Sequence, residues 1–246
     1  MRIVCPPEEK RVSKSPKTGF WIVPLALAVV SFLAYAVFPY LTLDPRHSRI
    51  PPPPEHVAYY AVLVLHIACG AIAMATGTLL IWTGSSGRFI ALHRILGRIY
   101  IFCGVLPASV MAVGLSAMSP FGPILITSNL TLTTLWLIAT IAGYRMIRSG
   151  RVLEHRRWML RSYVLTLSII TNRLWLPLAA MVLAPRLATT FHGDEALMWQ
   201  IIPGISGWLG WVLPLMVAEW SIVDRVGPVS TAFSRQTTQA AIGLEA

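Results

Sequence analysis

The sequence predicts an all-α fold, a polytopic membrane bundle of six transmembrane helices with both termini cytoplasmic. Three observations predict it. First, the 246 residues are 55% hydrophobic and only 12% charged, with a mean hydropathy of +0.65. Soluble domains carry roughly 25% charged residues, so this balance belongs to the membrane class. Second, six apolar runs are each long enough to cross ~30 Å of hydrocarbon at about 1.5 Å per residue. Third, Lys and Arg collect at alternate ends of those runs.

The domain organisation follows the apolar pattern. Residues 1–18 form a polar, basic tail (Arg2, Lys10, Arg11, Lys14, Lys17) that reads as disordered and cytoplasmic. The transmembrane domain covers 19–223, and 224–246 is a second disordered tail. The first helix occupies the run from Phe20 to Leu43. Ala34-Tyr35-Ala36 looks like a signal-peptidase site, but the run outlasts the roughly 7–15 residues of a signal core, so a retained helix is expected. Pro51-Pro-Pro-Pro54 is a stiff spacer leading to a second helix from about Val57 to Trp82. A Gly/Ser loop, Thr83 to Leu92, precedes a third helix from about Leu96 to Met118.

Ser119-Pro-Phe-Gly-Pro123 is a tight turn, and the fourth helix runs from about Ile124 to Ile147 with a polar first half. The fifth follows His155 and reaches about Leu183. The sixth spans about Leu197 to Val223.

Sixteen of the 20 Lys and Arg fall on the side of the two tails, against Arg46, Arg49 and Arg186 on the other. That asymmetry orients the tails inward and places the chain in the cell inner membrane as a multi-pass protein. It also accounts for the net charge of +10 without nucleic acid. Cys5, Cys69 and Cys103 show no zinc, cluster or disulfide spacing.

The polar residues sort into two layers. The inner one holds His93-Arg94-x3-Arg98-x-Tyr100 and His155-Arg156-Arg157-x3-Arg161-x-Tyr163, one order of residue types written twice. Arg94, Arg98, Tyr100, Arg156, Arg157, Arg161 and Tyr163 are the expected binding residues for an anionic ligand or for anionic lipid headgroups. Such residues also serve as plain interfacial anchors, although anchoring does not require the same order twice. Glu219 lies near enough in depth to neutralise one of these arginines.

The second layer is intramembrane: His66, Asn129, Asn172 and Arg173, with Thr133 at similar depth. His66 lies about 14 Å of helical rise from the outer end. An unpaired Arg at bilayer centre costs at least ~2.5 kcal/mol, so Arg173 should face the bundle and find partners. A functional site and a structural clamp between helices both fit this layer. Gly204, Gly207 and Gly210 in the sixth helix mark close helix packing, with homo-oligomerisation through that face as one use.

His66-x3-Gly70, His93-Arg94-x2-Gly97-Arg98-x-Tyr100, and His155-Arg-Arg-Trp-Met-x-Arg-Ser-Tyr163 followed by Arg173 resemble the bacterial predicted membrane proteins of domain-of-unknown-function family 2306. The resemblance runs over roughly His66 to Pro177, within a core of 57–184. It implies a multi-helix bacterial inner-membrane protein and no particular reaction.

Nothing in the chain resembles a nucleophile–base pair, a P-loop or a dinucleotide fingerprint, so no enzyme is read from it. The sequence therefore favours a non-catalytic module, transporter-like, sensory or assembly-related, binding an anion or lipid at the inner layer. The alternative is a membrane redox protein holding haem b or a metal ion through His93 and His155, the only pair of histidines at one depth.

Overall fold

The computed structural model describes residues 18–50, 53, 56–86 and 89–224. The basic N-terminal tail, most of the four-proline spacer, Arg88 and the tail from residue 225 onward lie outside the described residues. The described residues form helices α1 (Thr18–Val37), α2 (Tyr59–Ser86), α3 (Ile90–Ile99), α4 (Leu106–Ala117), α5 (Gly122–Arg148), α6 (Val152–Thr166), α7 (Ser168–Leu183) and α8 (Glu195–Asp224), with no strand among them. Helices α3 and α4 are one crossing joined by a π-helical segment, Tyr100–Val105, and α6 and α7 are one crossing broken at Leu167. Six helices are thus long and apolar enough to cross a membrane. Six crossings bring the start of α1 and the end of α8 to one end of the bundle, called here the terminal end.

Helix boundaries differ from the sequence expectation where polar side chains extend a helix rather than end it. Helix α2 continues past Trp82 through Thr83-Gly-Ser-Ser86. Thr83 donates to the Leu79 carbonyl, Ser85 to Trp82 and Ser86 to Thr83, so these hydroxyls fold back onto the last turns of the helix, and Ser86 satisfies one of its terminal carbonyls. Likewise α3 begins at Ile90 and α6 at Val152, which places His93 and His155 about one turn inside helices rather than ahead of them.

Prolines cause the main irregularities. Pro107 has no N–H for the Cys103 carbonyl, and its ring crowds that carbonyl, so the chain widens there to the i→i+5 pattern. Pro214 frees the Gly210 carbonyl in the same way, and that carbonyl accepts the Thr171 hydroxyl of α7. Pro177 leaves the carbonyl of Arg173 without a helical donor.

Packing follows the small residues. A Cβ on Gly104 would lie 2.9 Å from the Cα of Ala73, which brings the π segment against α2. The glycines of α8 meet neighbours within the chain: Gly204 meets Ile124, Gly207 meets Leu125 and Ser128, and Gly210 backs onto Asn172. Helices α5 and α7 thus supply the close packing expected of these glycines.

The central core gathers Ala73, Tyr100, Val105, Trp136, Tyr163 and Trp211, and α1 lies along α2. In water the large exposed apolar surface, from Trp21 on α1 to Trp220 on α8, would be prohibitive, whereas hydrocarbon is its natural solvent.

Candidate functional site

A chamber of about 510 Å³ occupies the half of the bundle away from the terminal end. Its walls come from α1, α2, α4, α5, α7, α8 and the end of α6, and its lining reaches from Trp136 and Thr166 at mid-depth to Arg49, Ser119 and Phe121 in the far-end loops. Most of the lining surface is apolar (Phe32, Leu63, Leu125, Ile169 and Leu176 among others), with polar groups set into it. All four residues of the intramembrane layer, His66, Asn129, Asn172 and Arg173, line this one chamber, as does Thr133. A volume in this range is typical of pockets that enclose small organic molecules, about 300–1,000 Å³.

The positions of these side chains have local causes. The Nδ1–H of His66 donates to the carbonyl of Ala108 on α4 at 2.9 Å, which leaves Nε2 as the free acceptor of the ring. One turn further along α2, Gly70 also lines the chamber, and a Cβ built there would meet nothing within 4 Å. Asn172 is fixed from behind by Gly210, and the Thr171 bond to the Gly210 carbonyl sets the rotation of α7. The next residue, Arg173, is exposed and enters the chamber lining.

Arg173 is where the structure departs from expectation. A buried cation was expected to find partners, yet among the described residues none forms an ion pair or hydrogen bond with it. The described acidic side chains are engaged elsewhere: Asp44 with the Arg46 amide, Glu154 with Arg151, Asp194 with the Leu197 amide, Glu195 with the Trp199 indole, and Glu219 with Arg161. Among the described residues, no Asp or Glu lines the chamber. The second cation of the lining is Arg49, whose guanidinium sits 3.6 Å over the ring centroid of Tyr35 and donates to the Tyr35 carbonyl. The sequence reading missed Arg49. Its signal was a basic residue on the side that is otherwise poor in them.

A closed polar layer forms the chamber floor. The Tyr100 hydroxyl lies 2.7 Å from Ser162 Oγ and 2.9 Å from Thr166 Oγ1, Thr140 lies 2.7 Å from Ser162, and the Trp136 indole donates to Thr166 at 3.0 Å. Thr140 and Thr166 pass their own protons to the Trp136 and Ser162 carbonyls. Every member is satisfied, which makes the layer rigid. The i, i+4 pairs Trp136/Thr140 and Ser162/Thr166 were its only trace in the sequence.

The inner layer comes apart into two kinds of residue. Tyr100 and Tyr163 were expected at the ligand-binding surface. They are instead core residues, 1% and 4% exposed, because each sits two helical turns below its histidine and finds a hydroxyl partner there. Arg161 is held by Glu219, with Nη2 to Oε2 at 2.7 Å, and its guanidinium lies 4.8 Å from the ring centroid of Trp158. Arg156 donates to the Gly84 carbonyl. Arg94 and Arg98 are exposed, and Arg157 is half-buried.

His93 and His155 both lie at the terminal end. The Thr83 hydroxyl is committed to Leu79, so its oxygen accepts His93 Nδ1–H at 2.9 Å. His155 Nδ1–H donates to the Gly143 carbonyl at 2.8 Å. No cluster of three or more His, Cys, Asp or Glu suited to a metal ion occurs among the described residues.

Residues 63–222 match the model of a family described as predicted membrane protein (DUF2306). The chain belongs to that family. The match runs from α2 to α8 and takes in the polar floor and the chamber lining from Leu63 onward, but not the part that α1 and the loop bearing Arg49 supply. No curated protein and no solved structure matches the chain. The shared family therefore carries the architecture of a multi-pass membrane protein and leaves the role of the site to its chemistry.

Proposed function

We propose that this DUF2306 protein is a non-catalytic anion-binding module of the cell inner membrane, with the acidic group of its ligand held by Arg173 inside the chamber. The reading moves the ligand from the inner face, where the sequence put it, to mid-membrane. One observation carries it: Arg173 lines a mainly apolar chamber in which no described residue places a carboxylate. An Arg at that depth costs at least ~2.5 kcal/mol, and an external anion with bidentate geometry offsets that cost. His66 Nε2, Asn129 and Asn172 supply further polar contacts for the same ligand. The exposed Arg94, Arg98 and Arg156, with the half-buried Arg157, then serve anionic lipid headgroups at the terminal end, at about 1 kcal/mol each near a charged surface. The excess of Lys and Arg on the side of the two tails supports a cytoplasmic terminal end.

The test is a thermal-shift titration of the full chain in a neutral maltoside detergent. Inorganic phosphate, acetate and dodecyl phosphate are the anionic probes, with dodecanol as the neutral one. A ligand at 100 times its Kd stabilises by about 2.7 kcal/mol. At least one anion should raise Tm in wild type and lose that effect in Arg173→Gln, while dodecanol does not discriminate. Equal anion effects in the two proteins refute the reading.

A second reading, haem b or a metal ion between His93 and His155, has one observation in its favour. Both rings use Nδ1 as a donor, the tautomer that frees Nε2 to ligate. An absorption spectrum of protein from a haem-replete host, with and without dithionite, decides it. A Soret band lost in both His93→Ala and His155→Ala supports this reading, and no band with no stoichiometric metal ends it.

A further inference from the structure

We infer that the chamber's ligand is an amphiphile, a single apolar chain ending in a carboxylate or phosphate, that enters from the bilayer between α1 and α7. The inference rests on the anion-binding reading of Arg173 and adds the class of molecule and its route.

Three features point to it. The first is the distribution of polarity. Arg173, Asn172, Asn129 and His66 are set among walls whose larger share is apolar, Phe32, Leu63, Leu125, Ile169 and Leu176 among them. A small hydrated anion gains nothing from such walls and loses its water there, whereas an apolar chain fits them. The second is how the walls are joined. Among the described residues, helix α1 packs chiefly along α2 and α7 chiefly along α8, with no extensive packing of α1 on α7, although both line the chamber. In a membrane the side between them faces acyl chains. The third is the open space at Gly70, where the helix surface recedes beside the chamber and any larger side chain would fill it. A second copy of this chain is a poor occupant, because the fifth crossing and its neighbours hold no acidic residue at the depth of Arg173 to complement it.

Gly70 also supplies the decisive variant. Leu at this position meets no neighbouring atom at its Cβ, suits a helix better than Gly, and occupies the space assigned to the apolar chain. Ala112→Leu, on the α4 part of the lining, does the same from another wall. Binding of dodecyl phosphate, dodecanoate, inorganic phosphate and acetate to the full chain is read by native mass spectrometry and thermal shift.

The expected result is binding of both long-chain anions at least about tenfold tighter than the short ones, a step of ~1.4 kcal/mol. That binding falls by at least about tenfold in Arg173→Gln and in whichever of Gly70→Leu and Ala112→Leu retains the wild-type fold. Short anions that bind as tightly as long ones, still through Arg173, overturn the amphiphile and leave the anion site standing. Long-chain binding untouched by both filling variants also overturns it. Binding of every anion unaffected by Arg173→Gln removes the amphiphile and the anion site together.

Discussion

The ring of Tyr163 lies against Gly77 so closely that a Cβ on that glycine would come within 2.4 Å of it, and the Tyr100 ring meets the same glycine from the other motif. The two copies of the His–Arg–Tyr order thus converge on one residue of α2. Gly77→Ala should push the Tyr163 ring away and strain its hydroxyl bond to Thr78, which is 2.6 Å long in the native packing. Overpacking of this kind costs about 1–3 kcal/mol. Thermal unfolding in detergent should show a lower Tm, and an unchanged Tm would contradict the packing described.

Tyr100→Phe removes one hydroxyl from a layer in which Ser162 keeps Thr140 and Thr166 keeps Trp136. The loss should therefore be modest, about 0.5–1.5 kcal/mol. Ser162→Ala should cost a similar amount. Because both residues belong to one network, the double variant should depart from additivity by at least ~0.5 kcal/mol. Additive effects in a double-mutant cycle would mean that the layer is a set of independent pairs.

Arg161 and Glu219 form a bidentate pair whose side chains are 22% and 41% exposed. Water and ions reach a pair of that exposure, so its coupling should lie at or below ~1 kcal/mol and weaken with salt. Glu219→Gln, measured in a cycle with Arg161→Gln at two ionic strengths, checks both statements. A coupling of several kcal/mol that ignores salt would show a desolvated pair instead.

Arg173→Leu should insert and fold at least as well as wild type, because no described side chain loses a bond when the guanidinium goes. Ligand binding should be lost. A clamp residue would behave in the opposite way, with destabilisation and poor yield. Tm and yield in detergent, set against the anion titration, separate the two.

Much of the architecture was legible because it depends on local properties. Apolar runs such as Ile124–Ile147 must satisfy their backbone internally, so they are helices whatever surrounds them. Less local features misled. Thr83-Gly-Ser-Ser86 has a loop composition, yet its hydroxyls complete the end of α2. Gly204, Gly207 and Gly210 correctly signalled close packing, but the partner is α5 and α7 of the same chain. Tyr100 and Tyr163 have the composition of interfacial anchors, and their depth depends on which helix faces them.

The sequence by itself determined the six crossings and the grouping of His66, Asn129, Asn172 and Arg173 in one intramembrane layer, since both follow from hydropathy and position along a helix. Only the tertiary structure decided that His66, Asn129, Asn172 and Arg173 line one chamber, that the tyrosines leave the inner face for the core, and that Arg173 has no partner among the described residues. Those outcomes depend on helix rotation and contact. Rotation here is set by features invisible to hydropathy: the carbonyl that Pro214 frees for Thr171, the widening that Pro107 imposes, and the glycines that let α2 and α8 accept a neighbouring side chain.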